Sequence, residues 1–435
     1  MLNLSVRELV KATAPVLRQH GETLTRHFYA RMFEHNPEMK QIFNQGHQRA
    51  GTQQQALAMA VTAYAEQIDD PSVLMPVLTM VVNKHISLGV RAEHYDVVGR
   101  HLLAAIREVL GTAATDELVA AWGEAYGALA QTLITLEQQA YRELTAKQGG
   151  WTGWRGFKIM RKQPESDEIT SFYLSPADGG AVPQFRPGQY ISLRIAVPEL
   201  GYMQPRQYSL SCAPGARHLR ISVKREKGEG ASKPAGMVSN RLHDAYDEGD
   251  LLDLAPPAGN FFLQEDSAVP VVLLSAGVGI TPMQSMLEHL LGAGTESRNA
   301  NGPTNDPTNS QPATSIAAAD GAGTRRAIHF VHAARHGGVH AFKARLAELR
   351  AQHSELRSMV YYESPRASDQ PGRDFDASGR IDLAALDQDW LPDQAQYYLC
   401  GPLGFLQAQK AALLARGVPL QAIFLEVFGT GGFAQ

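Results

Sequence analysis

The stretch Val271-Val272-Leu273-Leu274-Ser275-Ala276-Gly277-Val278-Gly279-Ile280-Thr281-Pro282-Met283 joins an apolar run to a glycine-rich turn. The run begins at Val269, and its continuity is typical of a strand buried on both faces of a parallel sheet. The glycines allow close backbone approach, Thr281 is a candidate N-cap, and Pro282 suits the first helical position. We predict a strand, a phosphate-binding turn and a helix, which together favour a parallel α/β domain.

Downstream of this stretch, strand-like and helical segments alternate to the end of the sequence. The further strand candidates are Ala327–His332, Ser358–Glu363, Tyr397–Cys400 and Ile423–Phe428. This alternation predicts an α/β domain on a parallel sheet for residues 266–435. Residues 292–326 interrupt it with small and polar side chains and almost no large apolar ones. Because burial cannot offset the entropy cost of ordering such a segment, we predict a disordered surface insertion there.

Upstream of the α/β domain the sequence changes to short β-rich runs. They are Phe157–Arg161, Ile169–Leu174, Gln189–Ile195, Gln207–Ser211 and His218–Lys224. Short strands at this spacing favour an antiparallel β-barrel, which we predict for residues 148–265. From Leu4 to about Ala146 apolar side chains instead recur at helical spacing, and Gln148-Gly149-Gly150 ends that pattern. Residues 1–147 are therefore predicted to be all-α.

Composition narrows the class of protein. The 435 residues suggest about three domains, and no run approaches the ~20 apolar residues of a membrane span. With a net charge of -4, the protein is a poor candidate for binding nucleic acid. Cys212 and Cys400 are too few for a disulfide framework, and the start of the sequence lacks the apolar region of a secretion signal. These features predict a cytoplasmic protein.

Four polar side chains interrupt apolar helix stripes in the first third. They are His85 in the stripe of Leu74, Leu78, Val81 and Leu88, Gln53 one turn before Leu57, Glu137 after Trp122, Tyr126, Leu129 and Leu133, and Tyr29 beside Met32 and Phe33. Singly, each has an ordinary alternative: a hydrogen-bonded core histidine, a packing tyrosine, a solvated glutamate, or a glutamine that faces water. Together they would need partners in one core, and a buried haem would supply a common one.

This set of residues resembles the globin domain of bacterial flavohaemoglobins, and the resemblance extends over essentially the whole chain. It rests on the string Asn83-Lys84-His85-Ile86-Ser87-Leu88-Gly89-Val90 and on the polar residues above. It implies haem b with His85 as the iron ligand. The other implied haem-pocket residues are Phe43 as a wedge, Tyr29, Gln53 and Leu57 on the distal side, and Tyr95 and Glu137 as partners of His85. A carboxylate accepting a hydrogen bond from His85 favours activation of O2 over its carriage.

The middle third carries the string Arg206-Gln207-Tyr208-Ser209 on a predicted strand. It is similar to the Arg-x-Tyr-Ser motif of ferredoxin-reductase-like flavoproteins, although a surface arginine and a core tyrosine on an ordinary strand would look the same. Pro187-Gly188-Gln189-Tyr190 precedes it, and Gly236-Met237-Val238-Ser239-Asn240 follows it at a predicted helix N-terminus suited to pyrophosphate. The resemblance implies FAD, bound by Tyr190, Arg206, Gln207, Tyr208, Ser209, Gly236, Val238 and Ser239.

The last third would bind the nicotinamide nucleotide. The turn Gly277-Val278-Gly279-Ile280-Thr281-Pro282 and the strand end Cys400-Gly401-Pro402 match the NAD(P) domain of the same superfamily. The turn alone is weak support because its spacing is not G-x-G-x-x-G, and Cys400 alone could be a small buried filler. Arg335, after the second strand, would favour NADPH if it reached a 2'-phosphate, but it could equally be solvated.

The end of the sequence, Glu426-Val427-Phe428-Gly429, completes the resemblance. In the family the aromatic residue covers the flavin, and the glutamate with Lys84 tunes electron passage to haem, whereas the ordinary alternative for Phe428 is core packing. The following Thr430-Gly431-Gly432-Phe433 departs from the Pro-containing ending that is usual in the family.

The activity implied by the resemblance is that of a nitric oxide dioxygenase. NAD(P)H would reduce FAD, FAD would reduce haem b, and O2 on ferrous haem would convert NO to nitrate. The expected partners are the small molecules O2, NO and NAD(P)H, with no obligate protein partner. Two alternatives stay open: an oxygen store or sensor with a haem-reducing module, and a flavin-dependent reductase of peroxides or ferric compounds.

Overall fold

A computed structural model describes residues 2–228, 230, 234–292 and 326–428. Residues 293–325 of the predicted insertion therefore lie outside the described residues. Gly429, predicted to contact the flavin, also lies outside them. Within the described part, a helical region is followed by an antiparallel sheet and then by a parallel sheet. This order confirms the predicted fold class, while the exact boundaries 1–147, 148–265 and 266–435 stay predictions.

Seven helices make up the N-terminal region. Their bounds are α1 Leu4–Ala12, α2 Ala14–His35, α3 Gln45–Ala50, α4 Thr52–Glu66, α5 Met75–Leu88, α6 Ala92–Leu110 and α7 Asp116–Ala146. Helices α2 and α4 pack closely because Gly21 has no side chain: a Cβ there would lie 3.3 Å from the Cβ of Ala58. The apolar faces of α1, α2, α4, α6 and α7 share one core, which includes the fully buried Met32 and Val10.

The middle region is a six-stranded antiparallel sheet with strand order β4-β3-β6-β1-β2-β5. The strands are β1 Arg155–Pro164, β2 Ile169–Pro176, β3 Tyr190–Val197, β4 Tyr202–Ser209, β5 Leu219–Lys224 and β6 Leu251–Leu254, with helix α8 at Met237–Ala245. An antiparallel bridge between Leu210 and Ile221 joins the two outer strands. The sheet thus curls into the predicted barrel around a core that includes Phe157 and Phe172.

The last region is a six-stranded parallel sheet with strand order β10-β9-β8-β7-β11-β12. Its elements are β7 Val271–Ala276, α9 Ile280–Leu290, β8 Ile328–Ala334, α10 Lys343–Gln352, β9 Leu356–Tyr362, β10 Ala377–Ser378, β11 Gln396–Cys400, α11 Leu403–Ala415 and β12 Ile423–Glu426. The strand order reverses at β7, because β8 lies on one side of it and β11 on the other. Ligands bind at such switch points in open α/β sheets.

The sequence predictions differ most from the structure in three strands. Strand β4 begins at Tyr202 and not at Gln207, and neither β6 nor the two-residue β10 was predicted. The first part of β4 contains Pro205, which is unusual in strands, and Gln204, which is fully buried against the helical region. Strand β6 is only four residues long and is enclosed between β1 and β3, so its short sequence carried little periodic signal.

The helical and barrel regions contact each other through two segments. The amide nitrogen Nδ2 of Asn83 on α5 donates to Oδ1 of Asn260 at 2.5 Å. The backbone N–H of Gln45 donates to Oε1 of Gln204 at 3.2 Å. Within the described ranges no single helix meets the length and hydropathy requirements of a membrane span, although 71–88 and 92–113, bent by 114°, meet them jointly.

Candidate functional site

His85 lies one turn before the end of α5, and two side chains from other helices contact its ring. Its Nδ1 is 2.7 Å from Oε1 of Glu137 on α7 and 3.0 Å from the hydroxyl of Tyr95 on α6. The Tyr95 hydroxyl donates to the same Glu137 oxygen at 2.5 Å. The structure thus brings together, from three helices, His85 and the two partners that the resemblance implied for it.

This network fixes the tautomer of the imidazole. Glu137 is 3% exposed, and its acceptor-only carboxylate requires the proton of His85 to reside on Nδ1. Burial and the Glu137 carboxylate both raise the pKa of Tyr95, so its hydroxyl keeps its proton. Nε2 of His85 therefore carries a lone pair, and these residues fit a haem iron held on that nitrogen.

We predict that Glu137→Gln lowers turnover about tenfold, the scale at which a hydrogen-bond partner of a metal ligand acts. The amide oxygen of glutamine accepts the same hydrogen bond but carries no negative charge. The imidazole of His85 would therefore donate less electron density to the iron. The measurement is the iron–histidine stretching frequency in the resonance Raman spectrum, which we expect to fall. Glu143→Gln on the exposed face of the same helix is the control. An unchanged stretching frequency would show that Glu137 serves the helical core alone.

Tyr29 on α2 lies in the predicted distal pocket and is 5% exposed. Its ring contacts Phe43 edge to face with centroids 5.5 Å apart, and Phe33 stacks on it at 5.8 Å. Burial raises the pKa of Tyr29, and the nearby Gln53 side chain partly opposes that rise. The phenol is therefore protonated at neutral pH and can donate a hydrogen bond to a ligand. Leu57 packs against the same core.

Gln48 on α3 is a pocket residue that the sequence analysis missed. Its side chain also lies near the Tyr29 hydroxyl, and its Oε1 accepts from the amide of Gln54 at 2.9 Å. Its Nε2 is buried and has no acceptor within bonding distance among the described residues. A buried donor without a partner fits a polar ligand in this pocket. No apolar stripe surrounds Gln48, so helical periodicity could not have indicated it.

Arg206 is partly buried on β4 and is a candidate phosphate-binding residue. Its Nη1 donates to the carbonyl of Pro205 at 2.7 Å, and among the described ion pairs none joins it to a carboxylate. Burial lowers its pKa, because the charged guanidinium is removed from water without a counter-ion. His47, whose pKa falls to about 4 through burial and the charges of Lys84 and Arg206, lies nearby. His47 is therefore neutral at pH 7, and the Arg206 guanidinium is the cation here that fits a phosphate of a dinucleotide.

A polar chain links α5 to the barrel beside Tyr190. Gln207 donates to the hydroxyl of Ser87 at 2.9 Å and accepts a hydrogen bond from Lys84. Tyr190 lies near both Ser87 and Gln207, and its ring packs on the apolar cluster around α5. Gln207 therefore contacts the helix of His85 directly, which the sequence analysis did not foresee.

Two glycines allow close packing beside the predicted flavin-binding residues of the barrel. Gly259 has a φ of +111°, and a Cβ there would lie 2.9 Å from the Tyr190 ring. Gly236 is the N-cap of α8, with Ser239 in the first turn and Val238 buried in the barrel core. Tyr208 packs against the same core. The strand end Ser209 is largely buried as well.

The predicted nicotinamide turn lies at the switch point of the parallel sheet. A Cβ on Gly279 would lie 2.1 Å from the carbonyl oxygen of Cys400, so the turn packs directly on the end of β11. Gly277 has a φ of +56°, which favours glycine. The N-cap prediction for Thr281 is wrong, because the cap is Gly279 and the Thr281 hydroxyl donates to the carbonyl of Val278 at 3.0 Å.

The remaining members of the turn begin α9. Ile280 is its first residue, and Pro282 is the third and not the first, a position where its missing N–H costs no helical hydrogen bond. Cys400 is fully buried, and Gly401 and Pro402 lead from β11 into α11. A Cβ on Gly401 would lie 3.1 Å from the Ala276 side chain, so the two strand ends are held close together.

Glu426 ends β12 opposite Cys400 and faces Lys84 of the helical region. Burial raises the pKa of Glu426 to about 7 and lowers the pKa of Lys84 to about 8, and each charge partly opposes the shift of the other. Val427 packs on the sheet, whereas Phe428 is 46% exposed, which contradicts the alternative of plain core packing. The two residues predicted to act jointly thus lie near each other across a domain boundary.

Comparisons with known proteins cover the whole chain. The globin family model matches residues 26–133, and the oxidoreductase NAD-binding domain model matches residues 273–411. A flavohemoprotein of Bordetella parapertussis is 58% identical over 100% of both chains. A flavohemoprotein of Chromobacterium violaceum is 54% identical over 99% of both.

Two solved structures are also similar. A flavohemoglobin from Malassezia yamatoensis with bound FAD and heme has a TM-score of 0.79 and 28% identity, covering 98% of this chain and 100% of that one. The FAD/NAD binding domain of a nitric oxide dioxygenase from Vibrio cholerae has a TM-score of 0.50 and 38% identity. It covers 63% of this chain and 98% of that domain.

Proposed function

Because the chain belongs to the flavohaemoprotein family, we propose that it is an NAD(P)H-dependent nitric oxide dioxygenase that converts NO and O2 to nitrate. The family and the NAD-binding domain make the protein an NAD(P)H-dependent oxidoreductase. We propose NO as its substrate. It is supported by the Vibrio cholerae protein, whose FAD/NAD binding domain resembles this one.

The observation that carries the proposal is the contact between His85 and the Glu137 carboxylate at 2.7 Å. A histidine that donates to a buried carboxylate is a stronger electron donor to a metal than one that donates to a neutral carbonyl. Such a ligand suits the activation of oxygen. An oxygen store or sensor would have no need of it.

When bound, FAD accepts a hydride from NAD(P)H and releases single electrons to the haem, where O2 and NO react. The side chains of this protein then have distinct tasks. His85 would hold the iron, and Glu137 and Tyr95 orient its ring. Arg206 neutralises a phosphate, and Gly279 lets the nucleotide-binding turn pack directly on the end of β11.

The protonated Tyr29 hydroxyl supplies a hydrogen-bond donor in the pocket. Negative charge that develops on oxygen during the reaction is stabilised by such a donor, more strongly in a buried site than in water. The Gln53 side chain lies near the Tyr29 hydroxyl and orients that hydroxyl. The edge-to-face contact with Phe43 restricts the rotamers of the Tyr29 ring.

Tyr29→Phe tests this role. A hydrogen bond to a charged group contributes about 1.5–3 kcal/mol, so we expect NO consumption to fall and O2 dissociation to speed up by about 10- to 100-fold. Stopped-flow spectroscopy of the reduced, oxygenated protein mixed with NO measures the first, and O2 displacement measures the second. Tyr64→Phe is the control, because its hydroxyl bonds the Ala125 carbonyl.

The same stopped-flow experiment separates the proposal from its two alternatives. Fast NO-dependent oxidation of NAD(P)H that yields nitrate supports a dioxygenase. Slow autoxidation without NO turnover would indicate an oxygen store or sensor. A purified protein with flavin absorbance and no Soret band after haem supplementation would indicate a flavin-dependent reductase.

We also propose that the protein acts in the cytoplasm. Both cysteines are free and buried, in keeping with a reducing, cytoplasmic compartment. The partners would be O2, NO and NAD(P)H.

A further inference from the structure

The turn between β1 and β2 of the barrel lies against the segment that follows β8 of the parallel sheet. The backbone N–H of Asp167 donates to the carbonyl of Gly338 at 2.7 Å. The carboxylate of Asp167 pairs with Arg366 at 3.0 Å, and that of the next residue, Glu168, pairs with Arg335. Two consecutive acidic residues of the barrel therefore face two arginines of the nucleotide-binding domain.

The turn is held rigidly in this position. The hydroxyl of Ser166 accepts hydrogen bonds from the backbone N–H groups of Glu168 and Ile169 at 3.3 and 3.1 Å. The Glu168 carbonyl accepts a further one from the backbone N–H of Arg225 at 2.7 Å. Since its backbone is fixed from both sides, Glu168 presents its carboxylate to Arg335 without reordering the turn.

Arg335 stands at a position that reads the nucleotide. In dinucleotide-binding sheets, the residue after the second strand meets the adenosine ribose: an acidic residue binds the 2'-hydroxyl of NAD, and an arginine accommodates the 2'-phosphate of NADP. Here β7 and its glycine turn are the first unit, β8 is the second strand, and Arg335 follows it directly. Taken alone, Arg335 would favour the phosphorylated nucleotide.

Glu168 changes that expectation. Its side chain is 22% exposed and that of Arg335 is 56% exposed, so the carboxylate is largely covered while the guanidinium stays open to solvent. A 2'-phosphate carries a charge of about -1.5 to -2 at neutral pH. It would have to displace Glu168 from Arg335 and then remain beside the displaced carboxylate. A neutral 2'-hydroxyl meets no such repulsion and can donate to the carboxylate.

We propose that Glu168 is a specificity-determining residue that acts across the domain boundary and makes this protein select NADH over NADPH by occupying Arg335. The inference rests on nicotinamide binding alone and not on NO turnover. Its failure would leave the dioxygenase proposal intact, and a failure of NO turnover would leave this inference intact.

The test compares 5'-AMP with 2',5'-ADP, which differ only in the 2'-phosphate, by calorimetric titration of the holoprotein at physiological ionic strength. Wild type is expected to bind 5'-AMP at least as tightly as 2',5'-ADP. In Glu168→Gln, the affinity for 2',5'-ADP should rise about five- to tenfold, the scale of one partly exposed charge pair together with relief of repulsion. The affinity for 5'-AMP should change less than twofold.

Kinetics give a second readout. With ferricyanide as the electron acceptor, the ratio of kcat/KM for NADPH to that for NADH should rise by a similar factor in Glu168→Gln. The double variant Glu168→Gln with Arg335→Gln should lose the gain, because the released guanidinium is what binds the phosphate. Flavin and Soret absorbance of each variant report that the protein is folded.

Asp167→Asn is the matched control, since it removes the same charge from the same turn but faces Arg366. At physiological salt the Debye length is about 8 Å, which limits its effect at Arg335. An equal shift in Asp167→Asn would overturn the proposal in favour of a net-charge effect. Tighter binding of 2',5'-ADP than of 5'-AMP by the wild type would overturn it without any variant.

Discussion

His85→Ala abolishes haem-dependent turnover and removes the Soret signature of a histidine-ligated iron. This is the expected result because α5 offers only this imidazole to the Glu137 carboxylate, and alanine leaves that buried carboxylate with the Tyr95 hydroxyl as its remaining side-chain donor. Absorbance spectroscopy and NO consumption measure the effect, which we expect to exceed about 100-fold, the upper end of second-sphere effects on metal sites.

Flavin chemistry should survive this substitution. NADH-dependent reduction of ferricyanide needs only the barrel and the parallel sheet, which His85 does not contact by a hydrogen bond in the described residues. Added imidazole should restore part of the Soret spectrum in His85→Gly, since it can fill the space of the lost ring. The exposed His20 on α2 provides the control substitution, His20→Ala. Loss of bound flavin in His85→Ala would contradict the division of labour between the regions.

Gly279→Ala stops hydride transfer from the nicotinamide nucleotide. A Cβ at this position would lie 2.1 Å from the Cys400 carbonyl oxygen and 2.8 Å from the Gly401 nitrogen, so the turn must move away from β11. Overpacking of this kind costs about 1–3 kcal/mol, and the displaced backbone is that of the turn we propose to bind the nucleotide. We expect the kcat/KM of NADH-dependent ferricyanide reduction to fall at least about 100-fold, with a lower melting temperature of the nucleotide-binding domain.

Gly404→Ala is the control for this prediction. Gly404 lies in α11 of the same sheet region, and a Cβ there meets nothing within 4 Å. It should leave the kinetics unchanged and stabilise the helix slightly, because alanine is the better helix former. The Soret band and dithionite reduction of the flavin should persist in Gly279→Ala. An unaltered KM for NADH would show that the turn does not hold the nucleotide.

The sequence predicted that His85 and Glu137 face inward, and there is a physical reason for this. Each occupies a position whose periodic neighbours are apolar, so the helical repeat directs it inward. The same reasoning found Tyr29, whose neighbours Met32 and Phe33 mark the buried face. The contact of His85 with Glu137 and Tyr95 was implied only by the resemblance to the family.

Other residues were beyond the reach of periodicity. Gln48 belongs to a six-residue helix with no apolar stripe, so its direction depends on how α3 is seated. Thr281 was predicted from its preference for the N-cap, but the glycine turn itself begins the helix two residues earlier. The N-cap preference of a residue type predicts a helix start poorly where a tertiary contact fixes the preceding turn. Here that contact is the packing of Gly279 against Cys400.

Contacts between the domains were the hardest to foresee. The pairs Glu168–Arg335 and Gln207–Ser87 join residues far apart in sequence. Whether such residues meet depends on how the separately folded regions dock, and single-sequence patterns carry no information on docking. The structure was therefore needed to connect Arg335 with an acidic partner.

The sequence neighbours of His85 on α5 have a consequence for electron delivery. Lys84 and Ser87 contact Gln207 of the barrel, while His85 between them faces Glu137. At a rise of about 1.5 Å per residue, these contacts fall within a single turn of one rigid rod. One helix therefore carries both the predicted iron ligand and the contacts to the barrel, so the distance that an electron must cross between flavin and haem is set by the rigid geometry of α5.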